Sequence, residues 1–535
     1  MLHMHVTTSP LDRQMRTSRA TDSPALRPSR AAAAIAGLLA GSAALAFSEL
    51  LAGLVAGAPS LIIAVGGLVI ALQPPGAKQF VVDLFGQADK LLLNLLIGVV
   101  ALVAATALGI LARSRPRLAA AGFAAGGAIG LYAALQDPLV DPLLSVLTVL
   151  SSVAVALWVL RALLGLAVRP RPGAEMPDWD RRRFLGTSLA VAGVAIGSGL
   201  IGRTLLANGG GSQGTARAPI PKPVETAPPL PSGVSLDAAG LSPIVVPNAD
   251  FYRIDTALLV PRPDVGSWRL RVGGMVDHAY ELTYDQLVAM PLHEEYVTIA
   301  CVSNEVGGHL VGNALWRGVR LRELLGRAGV QSGATQIVGR SVDGWTSGFP
   351  TAWAMASERE PLVAVAMNGE PLPAEHGYPA RLIIPGLYGY VANTKWLTEI
   401  QLTTLEAFDA YWVPLGWAKE GPILTQSRID TPRSGAQVTA GSVPVGGVAW
   451  APDRGVSRVE VQIDDGAWSA AKLSAPISDA TWVQFLYSWQ ASAGEHVVRV
   501  RATDGAGETQ TGDPTPPPPD GARGYHTIEV SVAQA

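Results

Sequence analysis

The chain has 535 residues, too many for one hydrophobic core, which predicts two or more domains. Only 16% of the residues are charged and the mean hydropathy is +0.28, values that favour a membrane component. The formal net charge of −3 gives no electrostatic reason for a polyanionic partner, so we expect no nucleic-acid binding.

The N-terminal third is predicted to lie largely in a membrane. Residues 1–30 are polar and rich in arginine, which predicts a disordered cytoplasmic tail. Each of the apolar stretches that follow has about 18 residues or more, enough to cross a hydrocarbon core of ~30 Å. They lie at 31–57, 91–112, 118–136, 143–160 and 184–202. None has the polar face of a soluble helix, so an all-α transmembrane region of about five helices is predicted over 31–207.

A shorter apolar stretch, Ser60–Leu72, has 13 residues and a Gly-Gly pair, which predicts a re-entrant or interfacial segment. With five spans, the arginine-rich loops 113–117 and 161–183 fall on the cytoplasmic side, as the positive-inside rule requires. The acidic loop 136–142 and everything after 207 then fall outside. We therefore expect a multi-pass protein of the cell membrane with an extracytoplasmic C-terminal part.

Two charged features of the membrane region each allow two interpretations. The segment Asp180–Gly186 (DRRRFLG) fits either a basic stop at the end of a span or a twin-arginine signal, which serves proteins exported already folded. No small-residue cleavage site is evident, so we expect the segment to stay as an anchor. Glu49 is the only charged residue in the apolar stretches, and it is either functional or placed near one end of a tilted helix.

The remainder divides into a linker and two domains. Residues 208–240 are rich in Gly and Pro and are predicted to form an extended linker. Strand-like runs alternating with short helical pieces predict an α+β domain over 241–425. Strand-like runs with Asp-Gly turns and no helical pattern predict an immunoglobulin-like β-sandwich over 426–535. The predicted strands are Trp268–Val272, Tyr296–Cys301, Gln336–Gly339, Arg381–Ile384, Thr398–Thr403, Val443–Ala449, Val456–Ile463, Trp482–Trp489 and His496–Ala502, and the predicted helices are Tyr284–Met290 and Leu321–Ala328.

The single cysteine, Cys301, ends a predicted strand and precedes small residues in TIACVSNEVGGHLVGNALWRGVR. This pattern exposes a thiol where the backbone leaves room for a bulky ligand. One cysteine excludes an intramolecular disulfide and a multi-cysteine zinc site. A buried small hydrophobe is the commoner role for a lone cysteine. A Cys–His protease with His309 or His376 as base is a further alternative, although no protease motif surrounds Cys301.

Around Cys301 and in the segments on either side of it, the sequence resembles the sulfite-oxidase family of molybdopterin enzymes. The resemblance covers roughly residues 245–535, in the family's order, and does not include the membrane region. It implies an oxidoreductase that transfers an oxygen atom to or from a small substrate. The segments that carry it are Phe251–Arg253 with Leu259–Pro261, Trp268–Gly274 with Leu282 and Thr283, Ala300–Asn304, Met367–Pro385 continuing to Lys395–Leu397, and Pro422–Ser427.

The resemblance also implies site residues. The Cys301 thiolate would bind molybdenum beside the pterin dithiolene, and a soft thiolate suits such a centre. Catalytic roles are implied for Cys301, Arg253 and Asn304. The residues implied to bind the cofactor are Arg253, Cys301, Ser303, Asn304, His376, Arg381, Gly386, Tyr388, Tyr390 and Lys395. His376, Arg381 and Lys395 would hold its phosphate, which favours cationic and N–H donors. Each group also has a purely structural alternative. Arg381 and Lys395 would be solvated charges at strand ends, His376 would be a turn histidine, and Tyr388 and Tyr390 would be packing aromatics.

The sequence departs from the family at two positions that concern the substrate. Sulfite oxidases are expected to carry arginines directly after the motif asparagine, where this chain has Glu305 and Val306. The tyrosine expected before Met-Asn-Gly is replaced by Val365 or Ala366. Because lost positive charge weakens binding of a doubly charged oxyanion, we expect a neutral or less anionic substrate, such as a sulfoxide or a thioether.

Histidine placement bears on electron transfer. All eight histidines lie outside the predicted spans, and haem b in a bundle usually needs axial histidine pairs. We therefore expect no haem and a separate electron-transfer partner. The C-terminal sandwich resembles the family's dimerisation domain, which implies a homodimer. Two other classes stay open: a membrane-anchored binding or adhesion protein with a cofactor-less domain, and a transporter. Molybdenum content would discriminate among them.

Overall fold

The computed structural model describes residues 27–74, 89–167, 179–209, 220–356 and 359–534. Most of the predicted tail over 1–30 and part of the linker over 208–240 lie outside the described residues. Within them, a helical N-terminal part is followed by two sheet-rich parts. This order agrees with the sequence-based prediction at the level of secondary-structure class.

The N-terminal part is helical throughout its described residues. Its helices are α1 (Arg30–Leu54), α2 (Leu61–Leu72), α3 (Asp89–Ala112), α4 (Pro116–Ala134), α5 (Pro142–Leu166) and α6 (Trp179–Ala207). All except α2 are long and apolar enough to cross a membrane, which makes five candidate spans among the described residues. Helix α2 has 12 residues, fewer than a span requires.

Helix α1 packs against α3, α5 and α6, so it occupies the centre of the helical part. Glycines permit two of these contacts. A Cβ atom added at Gly37 or at Gly109 would overlap the backbone of the facing helix, and one at Gly202 of α6 would overlap the backbone of Glu49 in α1. Small residues let apolar helices approach closely and gain packing contacts where no hydrophobic driving force exists.

Glu49 of α1 is buried and has partners on two other elements. It accepts a hydrogen bond from the hydroxyl of Ser60, which directly precedes α2. Its carboxylate also lies 2.9 Å from Nε of Arg203 in α6. Arg203 stands one residue beyond the apolar stretch predicted over 184–202, so the sequence pattern did not identify it as a partner. The pair compensates a charge that would be costly within apolar surroundings.

The first sheet-rich part contains two five-stranded sheets. One has the order β2-β1-β10-β5-β6, with β1 and β10 parallel, and the other has the order β3-β4-β7-β8 with β9 also paired to β7. Its elements are β1 (Arg269–Gly274), β2 (Tyr280–Thr283), α7 (Tyr284–Val288), β3 (His293–Ala300), β4 (Val311–Arg320), α8 (Leu321–Ala328), β5 (Gln336–Ser341), β6 (Thr346–Pro350), α9 (Thr351–Met355), β7 (Leu362–Met367), β8 (Glu370–Pro371), β9 (Arg381–Ile383), α10 (Gly389–Ala392) and β10 (Leu397–Thr403).

Strand β7 lies at the middle of the core and is buried at every position. From Leu362 to Val365 its alternate side chains enter different apolar clusters: Val363 and Val365 belong to one, and Leu362 and Ala364 to the other. Because successive side chains of a strand point to opposite faces, a strand buried on both faces is apolar without alternation.

The second sheet-rich part has sheets of order β11-β13-β17-β16 and β12-β19-β18-β14-β15. Side chains from both sheets, among them Val445, Phe485, Val459, Val498 and Ile528, form one apolar cluster between them. The strands are β11 (Gln426–Thr431), β12 (Ala436–Thr439), β13 (Gly441–Trp450), β14 (Val456–Ile463), β15 (Ser469–Ala470), β16 (Lys472–Leu473), β17 (Val483–Ala491), β18 (Gly494–Asp504) and β19 (His526–Ala533).

The two sheet-rich parts share buried contacts. Trp450 and Trp482 belong to the main apolar cluster of the first part. The backbone N–H of Trp482 donates to Oγ1 of Thr298 at 2.8 Å, and its indole Nε1 donates to the carbonyl of Ile244 at 2.9 Å. The predicted boundary at 425/426 is therefore crossed by a continuous core.

The helical part contacts the first sheet-rich part directly. Nζ of Lys90, in the first turn of α3, lies 2.8 Å from the carboxylate of Asp255 and donates to the carbonyl of Ala257 at 2.8 Å. The side chain of Leu258 also reaches the backbone of Gly66 in α2. These contacts place one end of the helices beside the cavity described below.

Candidate active site

The loop between β3 and β4 holds the only thiol of the chain. The backbone N–H of Cys301 donates to the carbonyl of Leu310 at 2.9 Å, and Oδ1 of Asn304 accepts the N–H of Leu310 at 2.8 Å. A Cβ added at Gly308 would overlap that Asn304 oxygen, so the close approach requires glycine here. The loop is thereby closed, and Cys301 is held at the strand end with 9% of its surface exposed.

Cys301 lines a cavity of about 410 Å³. Two more segments bring polar side chains to the same cavity: β9 contributes Arg381, and the chain after α10 contributes Asn393 and Lys395. Tyr252, Ser303 and Tyr390 also line it. A cavity of this kind, apolar with a few convergent polar groups, is the usual form of a small-molecule or cofactor site.

The two cations in the cavity are strongly buried. Nη1 of Arg381 donates to the carbonyl of His376 at 3.1 Å, and its guanidinium lies 5.0 Å above the Trp316 ring. Nζ of Lys395 donates to the carbonyl of Glu375 at 2.9 Å. Burial lowers the pKa of Arg381 to about 10 and that of Lys395 to about 8. Both groups remain cationic at pH 7.

Asp255 connects three cations at one end of the cavity. Its carboxylate lies 2.8 Å from Lys90, 2.8 Å from Arg253 and 3.2 Å from Lys395. Burial acts to raise the pKa of Asp255, but these cations outweigh it and hold the pKa well below its usual range. Three cations around one carboxylate leave positive charge at this end, which fits an anionic group such as a phosphate.

The buried donors without a hydrogen-bond partner in the described residues include three on segments of this site: Nε of Arg381 and the Nδ2 atoms of Asn393 and Asn304. A buried donor left unsatisfied costs about 1–3 kcal/mol, so such atoms indicate a missing acceptor. Arg381 and Asn393 line the cavity with the thiol of Cys301. These groups together fit a molybdopterin cofactor. The thiolate suits a soft metal, the amide and guanidinium donors suit a pterin, and the cations suit a phosphate.

Arg253 and His376 lie next to the cavity rather than in its lining. The side chain of Arg253 is 38% exposed and bonds Asp255 through Nε. His376 is buried behind Phe251, and its Nε2 donates to the carbonyl of Asn248 at 3.1 Å. Burial lowers the pKa of His376 to about 4, so its imidazole is neutral at pH 7. In the cofactor-free protein this ring is a neutral hydrogen-bond donor to Asn248.

Gly386 and Tyr388 also lie outside the described lining. The carbonyl of Gly386 accepts the N–H of Ile423 at 2.8 Å, and its φ of +85° favours glycine. The hydroxyl of Tyr388 accepts the N–H of Leu424 at 3.4 Å. These two residues connect the loop before α10 to the segment leading into β11. Tyr390 does line the cavity, and its hydroxyl donates to the carbonyl of Ala418 at 2.7 Å.

Several residues that line the cavity were not predicted from the sequence: Asn393, Asp255, the aromatic pair Trp412 and Trp417, Pro518, and Gln73 and Pro74 after α2. Asp255 stands two residues after Arg253, and this short spacing of opposite charges could have indicated an ion pair. The other lining positions lack any local pattern that distinguishes them. The two histidines considered as protease bases, His309 and His376, are absent from the described lining.

Comparison with known proteins is consistent with this geometry. Residues 257–412 match the family described as oxidoreductase molybdopterin binding domain. The chain is 31% identical over 271 residues to mitochondrial sulfite oxidase of Homo sapiens, covering 43% of this chain and 49% of that protein. It is 35% identical over 158 residues to the uncharacterized oxidoreductase YuiH of Bacillus subtilis (strain 168), covering 30% of this chain and 76% of that protein.

The chain thus spans about half the length of the sulfite oxidases it matches and most of YuiH. Among solved structures, the sulfane dehydrogenase SoxCD from Paracoccus pantotrophus aligns with a TM-score of 0.48 and 21% identity, covering 54% of this chain and 82% of that chain. An alignment as loose as this carries no inference about activity.

Proposed function

Because the chain belongs to the sulfite-oxidase-type family of molybdopterin oxidoreductases, we propose that it transfers an oxygen atom to or from a small substrate. The observation that carries the proposal is the shared cavity of the Cys301 thiol and the unpaired donors of Arg381 and Asn393. When bound, the cofactor supplies two-electron oxygen-atom chemistry, and the protein supplies binding, orientation and electrostatics.

The protein's residues have separate tasks in this proposal. Cys301 binds molybdenum as a thiolate, and Arg381 and Lys395 hold the phosphate through charge-assisted hydrogen bonds. Asp255 orients the Lys395 ammonium and keeps it charged. Arg253, Ser303, Asn304, His376, Gly386, Tyr388 and Tyr390 complete the proposed site, of which Ser303 and Tyr390 line the cavity.

For the substrate we propose a neutral sulfur compound, a sulfoxide or a thioether. The positions that would carry anion-binding arginines hold Glu305 and Val306. Val365 and Ala366 are fully buried in β7, so neither offers a polar group at the expected tyrosine position. A site without these donors has less electrostatic attraction for a doubly charged oxyanion.

We also propose the cellular arrangement. Helices α1 and α3 to α6 would span the cell membrane, with residues 241–425 as the molybdopterin domain and 426–535 as an immunoglobulin-like domain outside the cytoplasm. Asp180–Gly186 would act as a twin-arginine signal anchor. A homodimer would form through the C-terminal domain, and electrons would pass to a separate partner.

Metal analysis of the full-length protein tests the central proposal. We expect molybdenum at about one per chain and turnover of sulfoxides or thioethers with an artificial redox dye, as a single-thiolate site implies. Cys301→Ser should lose the metal and at least about 100-fold of the turnover, since a hydroxyl is a poor ligand for this centre. His309→Gln, outside the cavity lining, should retain both.

Three outcomes would contradict the proposal. Wild-type protein without molybdenum would indicate a binding or adhesion protein with a cofactor-less domain. Unchanged metal and turnover in Cys301→Ser would remove the thiolate from the mechanism. Rapid turnover of sulfite at a micromolar Michaelis constant would overturn the substrate class.

A further inference from the structure

The membrane-type helices contribute part of the wall of the cavity. Gln73 and Pro74 directly follow α2 and line the same cavity as Cys301. Lys90, in the first turn of α3, is paired to Asp255, which lines the cavity as well. The cavity is therefore built jointly by the helical part and the first sheet-rich part.

The helix ends beside this wall present large apolar side chains outward. Leu72, in the last turn of α2, is 73% exposed, and Leu91, next to Lys90 in α3, is 64% exposed. Val69 and Leu95 are also exposed on the same two helices. Exposed apolar side chains on a spanning helix such as α3 are expected to contact lipid, and α2 has the length of a re-entrant or interfacial segment. The wall formed by Gln73 and Pro74 thus adjoins the lipid phase.

The sheet-rich part adds aromatic rings to the same cavity. Trp412, Trp417 and Tyr390 line it, with ring centroids 6.4 Å apart for the two tryptophans and 5.9 Å apart for Tyr390 and Trp417. Flat aromatic rings offer stacking surfaces to a planar ligand. Trp and Tyr are also the side chains that favour the boundary between membrane and water.

From this placement we propose that a lipid-soluble quinone binds in the cavity between the α2 end and the two tryptophans and serves as the two-electron partner. The inference rests on the oxygen-atom transfer proposed above. A planar ring with an apolar tail matches aromatic rings next to a lipid-facing wall.

The overall reaction balances with this partner. A thioether, water and a quinone yield a sulfoxide and a quinol. Water supplies the oxygen of the new sulfur–oxygen bond, the thioether sulfur loses two electrons, and the two protons of water and those two electrons reach the quinone carbonyl oxygens. Sulfoxide reduction by a quinol is the same reaction reversed.

Binding of decyl-ubiquinone to the full-length protein in lipid nanodiscs tests the inference through quenching of tryptophan fluorescence. We expect saturable quenching that Pro74→Arg weakens about tenfold or more, because the long side chain would occupy the space beside the α2 end. Leu139→Arg should change the affinity by less than about twofold, since Leu139 is a partly exposed residue of the α4–α5 loop outside the cavity lining.

The outcomes separate this inference from the proposed function. Suppose that wild-type protein lacks molybdenum but binds the quinone, and that Pro74→Arg weakens this binding while Leu139→Arg does not. This result would contradict the proposed function and support the quinone site. Absence of saturable quenching, or equal loss of affinity in both variants, would overturn the quinone site. Reduction or oxidation of the enzyme by soluble cytochrome c, at equal rates in both variants and unaffected by added quinone, would also overturn it.

Discussion

Lys395 is the cavity cation whose charge depends most on its surroundings. Burial lowers its pKa to about 8, while Asp255, at 3.2 Å, opposes that shift. Raising the pH of the cofactor-free protein through about 8 removes the ammonium charge. Lys395 therefore attracts a phosphate best below that pH, and the guanidinium of Arg381 maintains attraction above it.

We expect uptake of molybdopterin by cofactor-free protein to weaken between pH 7 and pH 9 by about tenfold, as one charge-assisted contact is lost. Lys395→Arg should abolish this pH dependence, because an arginine keeps its charge over that range. Equilibrium titration of cofactor binding at both pH values measures the effect. An equally steep loss in Lys395→Arg would contradict the assignment.

His376 predicts an acid-sensitive contribution to stability. Its folded pKa of about 4 lies below the ordinary value of 6.5, so the unfolded chain binds the proton more readily. The free energy of unfolding should therefore fall as the pH drops from 6.5 to 4, by up to about 3 kcal/mol from this residue. His526, whose pKa burial also lowers to about 4, adds a similar dependence.

Denaturant unfolding of His376→Gln at pH 7 and pH 4.5 isolates the share of His376. The amide retains a donor for the carbonyl of Asn248 but does not titrate. The variant should lose less stability on acidification than the wild type. An unchanged pH dependence would show that His376 is not the responsible group.

At the same scale, the sequence predicted part of the site. Family membership and the molybdopterin cofactor, inferred from motifs around Cys301, are confirmed by the comparisons. Cys301, Arg381 and Lys395 also meet in one cavity. Asp255 and Lys90 could not be paired from the sequence, because they are 165 positions apart and no local pattern encodes the contact.

At the scale of elements, the sequence pattern located nine of the nineteen strands of the described residues. The predicted strand Val456–Ile463 and helix Leu321–Ala328 coincide with β14 and α8. Strand β7 was missed, because Leu362–Met367 is a continuous apolar run that fits a buried helix as well as a strand. Only its neighbours β4, β8 and β9 define it as a strand.

The contact between α1 and α3 gives a prediction for one helix pair. Gly109→Val should destabilise the protein by about 2 kcal/mol, because the added side chain would overlap α1 at Gly37. Gly98→Val is the matched control on the same helix, since nothing lies within 4 Å of a Cβ at Gly98. Thermal unfolding in detergent compares the two. Equal midpoints would contradict the close α1–α3 packing.

At the scale of the whole molecule, the two sheet-rich parts should unfold together. Trp482 is buried in the core of the first part although it stands just before β17 of the second. Trp482→Ala should cost about 3–5 kcal/mol through the cavity that the lost indole leaves, while Nδ2 of Asn313 still donates to the Ile244 carbonyl. Calorimetry of the full chain should show one transition for both parts, at a lower temperature in the variant. Two separate transitions would support independent domains with the predicted boundary at 425/426.

The cavity also has a wall residue from each end of the chain, Gln73 after α2 and Pro518 after β18. A ribosome must therefore have synthesised the protein at least as far as Pro518 before the wall is complete. During translation the pocket stays open on that side while Cys301 and Arg381 are already made. The cavity is consequently closed later than its cofactor-binding side chains are made, and a cofactor could enter before the segment around Pro518 docks.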